Sequence, residues 1–121
     1  MKIAISTIDN NGLESKLSPH FGRCPFYMMV ETKGEEILSV EGVENPYYSS
    51  HGPGIVPKFI NKQGVDVMIS GGMGGSAIAF FKEFKIGVAT GASGTVKETL
   101  QAYFDGNLRE AAPCNHEDHN H

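Results

Sequence analysis

The 121-residue chain has no tryptophan, only two cysteines, no excess of basic charge and no long apolar run. Each shortage closes off a class of function. Cys24 and Cys114 are too few for a disulfide framework. A chain of this length buries roughly two thirds of the surface its unfolded form exposes, so its core needs no staples. The two read as thiols in a reducing compartment, available to bind metal or to stay inert. No apolar stretch approaches the roughly 20 residues that span a bilayer. Met1-Lys2-Ile3-Ala4-Ile5 turns polar at Ser6-Thr7 too early for a secretory signal, so a cytoplasmic protein with no membrane partner is expected. Ten Lys and Arg stand against 14 Asp and Glu, a net charge of −4, and the basic residues are scattered. Nucleic acid is therefore not an expected partner.

What is present is a globular composition, 40% hydrophobic with 15 glycines, which excludes disorder of the whole chain. Ile3-Ala4-Ile5-Ser6-Thr7-Ile8 predicts a buried first strand, and a long polar loop follows to Arg23. Residues 26–32 and 36–43 predict two more strands joined by a turn at Lys33-Gly34, the second nearer an edge because it alternates. A helix is expected from Ile55 to Lys62, with Pro57 in its first turn. Strand and helix then alternate: a strand at 65–70, a helix at 76–84, a strand at 86–90 and a last helix opened by the capping box Thr95/Glu98 and closed at Gly106. This alternation implies parallel pairing and an α/β fold with a mixed sheet. The domain is read as residues 1–108, and residues 109–121 as a flexible His-rich tail.

Three segments carry chemistry, each expected just after the carboxyl end of a parallel strand: Ser18-Pro19-His20-Phe21-Gly22-Arg23-Cys24-Pro25, Gly71-Gly72-Met73-Gly74-Gly75-Ser76 and Gly91-Ala92-Ser93-Gly94-Thr95. In open α/β sheets ligands bind in that crevice. If the first strand lies beside the one at Val65, the three loops converge on a single cleft. His20 and Cys24 offer an imidazole and a thiol suited to iron, copper or zinc, and Arg23 between them would lower the thiol pKa and hold an anion. Cys24, placed before Pro25, reads equally well as a core residue. The backbone around Gly72, Gly74, Gly75, Gly91 and Gly94 can approach an anion closely, or can simply turn the chain. His51 is a possible further ligand. The tail groups Cys114, His116, His119 and His121 with two carboxylates, a composition that binds transition metals without fixed geometry. No serine elbow, no His-Glu-x-x-His and no paired strand-end acids occur, so no enzyme is expected.

Taken as a set, the His-Phe-Gly-Arg element at residues 20–23, Gly64-Val65-Asp66-Val67 leading to Gly71-Gly72-Met73-Gly74, Ile86-Gly87-Val88 before a Gly-rich loop, and Tyr103-x-x-Gly106-x-Leu108 resemble the dinitrogenase iron-molybdenum cofactor biosynthesis family over about residues 1–108. The resemblance implies a three-layer α/β/α ribonuclease H-like fold whose five-stranded mixed sheet has strand 2 antiparallel. It implies non-enzymatic binding, carriage or protection of an iron-sulfur or iron-molybdenum cluster, with a cluster donor or acceptor protein as partner and a link to nitrogen fixation. The same fold without a cluster would be a regulatory or protein-interaction domain. Carried onto this chain, the resemblance makes His20 and Cys24 cluster ligands, Arg23 their charge partner, and the amides near Gly72–Gly75 and Gly91–Gly94 an anion cradle.

Overall fold

The computed structural model describes residues 1–48 and 54–112. The elements run β1 (Lys2–Thr7), a 3-10 turn (Gly12–Glu14), β2 (Phe26–Lys33), β3 (Glu36–Glu44), α1 (Ile55–Lys62), β4 (Val67–Ile69), α2 (Gly75–Glu83), β5 (Gly87–Thr90), α3 (Val96–Phe104) and β6 (Arg109–Ala112). One sheet holds all the strands in the order β3-β2-β1-β4-β5-β6. β1, β4 and β5 are mutually parallel, while β2 and β6 run against their neighbours.

The sheet therefore has six strands where five were expected. The sixth, Arg109–Ala112, lies in the stretch assigned to the tail, and its last residue is buried. Four residues without apolar alternation carry no strand signal of their own. They extend because β5 would otherwise present unpaired backbone groups at a sheet edge. Cys114, His116, His119 and His121 lie outside the described residues, as does His51.

Strand pleating divides the apolar side chains between two cores. Ala4, Met29, Met68 and Val88 face one side, where Val56 and Ile60 of α1 and Phe81 of α2 cover them. Ile3, Ile5, Met28, Val30, Val67 and Ile69 face the other, under Val96 and Leu100 of α3. Helices thus cover both faces, and β1 is buried from Ile3 to Thr7, which is why it reads as a nearly continuous apolar run.

The last helix starts where its capping box predicts. The Glu98 amide donates to Thr95 Oγ1 at 3.2 Å, and the Thr95 amide donates to Glu98 Oε1 at 2.9 Å. β3 forms the free edge beyond β2, in line with its alternating pattern. No helix among the described residues is long and apolar enough to cross a membrane.

Candidate functional site

β1 does pair with β4, residue Ile3 opposite Val67 and Ile5 opposite Ile69, so the segments that follow β1, β4 and β5 leave the sheet at the same end. Backbone hydrogen bonds stitch them together. The Gly71 amide donates to Ser18 O (3.2 Å), the Gly91 amide to Gly71 O (3.1 Å) and the Leu17 amide to Gly94 O (2.9 Å). Gly71 sits at the crossing: a Cβ there would lie 2.8 Å from Pro19 Cα and 2.9 Å from Ser18 O. The absence of a side chain lets two loops touch through their backbones.

Two serines shape the crossing. Ser18 Oγ donates to His20 O (2.9 Å) and accepts from the His20 amide (3.1 Å), a tight local turn that leaves the imidazole exposed. Ser70 Oγ donates to Gly72 O (2.9 Å), which holds that carbonyl back toward the strand end. The result is an open cleft in two lobes. One, of about 380 Å³, is lined by His20, Arg23, Gly72, Met73 and Gly74. The other, of about 510 Å³, is lined by Gly72, Met73, Thr90, Gly91 and Arg109. The Gly72-Met73 ridge is common to both. Each volume falls within the range of ligand pockets. A smaller cavity of about 280 Å³ under α3 has Glu110 as its only charged lining residue and sits away from these loops. The two-lobed cleft is the one lined by the loops that follow β1, β4 and β5.

Cys24 does not reach the cleft. It is fully buried in the core with Phe21, Tyr27 and Phe81, and its thiol donates to Phe21 O at 3.3 Å. Burial pushes the thiol pKa above its ordinary value of 9.0, only partly opposed by hydrogen bonding with the Tyr27 hydroxyl. The expected lowering by Arg23 is overturned, because that guanidinium is exposed to solvent while the thiol points inward. Ser6 Oγ, buried beside this group, meets no hydrogen-bonding partner of adequate geometry among the described residues.

The same buried group anchors the site loop. Phe21 O also accepts from Tyr27 Oη (2.8 Å), and Asn45 Nδ2 donates to Cys24 O (2.9 Å). Phe21 packs edge-on against Phe81, ring centroids 5.2 Å apart. His20 and Arg23 are therefore presented to solvent by a loop in which the residue after each, Phe21 and Cys24, is sunk in the core.

This buried pair has a pH signature. Burial also raises the Tyr27 pKa, and the neighbouring thiol adds to that rise. In the unfolded chain the thiol ionises near 9.0, whereas in the folded chain it keeps its proton. The folded state then binds more protons than the unfolded state at alkaline pH, so its stability is complete below about pH 9 and falls as pH rises above that value. Chemical unfolding at pH 7 and pH 10 is expected to show this loss in the wild type and a smaller one in Cys24→Ala.

In the Gly91–Gly94 loop two backbone amides already have partners. The Gly91 and Ala92 amides are used inside the protein, on Gly71 O and Ser70 O, and Gly94 lies over the α3 cap beside Glu98. These residues lock the loops together and offer no free amide cradle at those two positions. Gly72, Met73 and Gly74 do line the cleft. Gly75 opens α2 immediately after them. No group of three or more His, Cys, Asp or Glu able to hold a metal occurs among the described residues. Sequence reasoning missed Met73 and Arg109. Methionine in a glycine loop has no diagnostic spacing, and Arg109 gains its place only through β6.

The model of the family described as "Dinitrogenase iron-molybdenum cofactor" matches residues 1–106. The chain belongs to that family. The family's span covers every strand but β6, and both the His20 loop and the Gly71–Gly75 loop lie within it. Among curated relatives, the uncharacterized protein MJ0580 of Methanocaldococcus jannaschii is 36% identical over 112 residues, 91% of each chain. Among solved structures, that of PH0822 superposes with a TM-score of 0.79 at 35% identity, covering 91% of this chain and 96% of the other. The apo form of the orange protein from Desulfovibrio gigas gives 0.80 at 28% identity, covering 95% and 96%.

Proposed function

We propose that this protein binds and carries, without turnover, an anionic iron-sulfur or iron-molybdenum type cluster in the cleft, taking it from one cytoplasmic protein and passing it to another during cofactor assembly. The observation that carries this reading is the cleft wall itself: an exposed imidazole, His20, and a guanidinium, Arg23, face a glycine loop in one cavity. The donor set suits such cargo. A single nitrogen ligand with a cation and nearby backbone can hold a cluster and still release it, whereas a closed cage of four side chains would keep it. Membership of the iron-molybdenum cofactor family supports the same assignment.

Within this reading His20 ligates, Arg23 balances charge, and Cys24 holds the loop in place without touching the cluster. Cys114, His116, His119 and His121 supply a further set of transition-metal donors, and His51 is a candidate additional ligand. The alternative, a protein-interaction domain that carries no cluster, draws on the lack of a three-ligand group among the described residues.

Anaerobic reconstitution of the reduced full chain with iron and sulfide, with and without molybdate, separates the two. The expected result is a visible chromophore that is lost or at least tenfold weaker in His20→Ala and kept in a full-length variant carrying C114S, H116A, H119A and H121A. Metal bound only by the intact tail would move the site there. No chromophore in any form would leave the interaction domain.

A further inference from the structure

We propose that the cavity under α3 binds a small organic monocation, a protonated alkyl or aryl amine whose apolar body lies on the sheet and whose ammonium meets Glu110 at the mouth. The site is separate from the cleft and does not depend on what the cleft carries.

The cavity, of about 280 Å³, lies at the end of the sheet opposite the cleft. Val67 and Gly87 open β4 and β5, Tyr103 and Gly106 stand at the far end of α3, and Glu110 and Ala112 come from β6. The cleft is instead lined by residues that follow β1, β4 and β5. Alternation along β6 keeps the two apart, since Arg109 and Ala111 line the cleft while Glu110 and Ala112 line this cavity.

Three features set the ligand. The floor is apolar and sealed: Val67, Val88 and Ala112 are each 1% exposed and Ala89 is 3% exposed. A volume just below the usual range for ligand pockets suits a small body on that floor. The mouth is negative. Glu110 is exposed, is the one charged lining residue, and takes part in no ion pair among the described residues. The last turn of α3 contains no basic residue and its C-cap is Asp105, so nothing within the helix offsets the partial negative charge of its end. Tyr103, half-buried against the core on the same wall, supplies an aromatic ring that attracts a cation.

Other ligands fit worse. An anion would be repelled by Glu110 and by the helix end. A metal ion needs several hard donors, and the lining supplies one carboxylate. A lysine side chain reaching in from a partner would enter tip first and put its charge on the apolar floor, away from the carboxylate at the exposed mouth. A free amine enters body first and leaves its charge where Glu110 stands.

The test titrates the isotopically labelled full chain, followed by amide NMR shifts, with three probes of similar shape: phenethylamine, phenethyl alcohol and phenylacetate. Phenethylamine is expected to move the amides of Gly87, Ala89 and Leu108, to leave Gly72 and Gly74 in place, and to bind roughly tenfold tighter than the alcohol. Phenylacetate is expected not to bind. Glu110→Gln should bring the amine down to the affinity of the alcohol and leave the alcohol unchanged, and added salt should weaken the amine alone. Tyr103→Leu should weaken the amine about threefold, and Tyr103→Phe should restore it. Because Glu110 is exposed on an edge strand, melting of Glu110→Gln should stay within about 2 °C of wild type. Equal affinity of wild type for amine and alcohol would overturn the charge assignment. Shifts confined to Gly72 and Gly74 would place the probe in the cleft and remove this site, as would no shift with any probe at about 10 mM. Each of these results leaves the cluster-carrier reading of the cleft where it stands.

Discussion

Phe81→Ala is expected to lower the stability of the protein by about 3–5 kcal/mol, the usual cost of emptying a large aromatic site in a core. Phe81 is fully buried in the cluster that joins α2 to the sheet. Its ring meets Phe21 at 5.2 Å and 76°, an edge-to-face pair that adds to the area term. For a domain of this size such a loss moves the melting midpoint down on the order of 10–20 °C. The consequence for function is specific. Phe21 is the residue between His20 and the Gly22-Arg23 pair, so removing its support loosens the loop that presents them. Phe81→Leu, which keeps most of the volume, should lose much less. Thermal and denaturant unfolding of the three proteins decide the matter, and a fall of less than about 1 kcal/mol in Phe81→Ala would show that the pocket collapses around the vacancy.

Gly71→Ala should destabilise by about 2–3 kcal/mol through crowding, the opposite of a cavity. The added Cβ would lie 2.8 Å from Pro19 Cα and 2.9 Å from Ser18 O, both backbone atoms that cannot rotate away. Relief requires the His20 loop to move off the strand end, which breaks the Gly71 to Ser18 hydrogen bond and widens the cleft floor. Gly74→Ala is the matched control. A Cβ at Gly74 meets nothing within 4 Å, and its φ of −73° is ordinary for any residue, so stability should change by no more than about 0.5 kcal/mol. Unfolding midpoints that are equal for the two variants would remove the crossing-point argument.

Much of the architecture was legible from periodicity. The β-branched run of β1, the apolar face and capping box of α3 and the alternation in β3 are local patterns, and each element formed about where its pattern lies. The convergence of the loops after β1, β4 and β5 followed from their parallel order. β6 was not legible, since Arg109-Glu110-Ala111-Ala112 is extended by the neighbouring edge of β5 and not by its own pattern.

At the site, the sequence placed His20 and Arg23 beside the glycine loop, and the structure brings them together there. It could not orient Cys24. Cysteine is small and weakly polar enough to serve as a ligand or as core, and the outcome depends on Phe21, Tyr27 and Phe81, which lie up to 57 residues away and close around it. Nor could it tell which glycine amides are spent on the protein, because Gly91 gains Gly71 O as its acceptor only where the chains cross.

By itself, then, the sequence determined the α/β class, most of the elements and the loop that presents the exposed His20 imidazole, because those depend on residues close together in the chain. The sixth strand, the inward turn of the Cys24 thiol and the arrival of Arg109 at the cleft were decided only by tertiary structure. Each depends on which distant backbone or side chain occupies the adjoining space, and a local pattern carries no record of that.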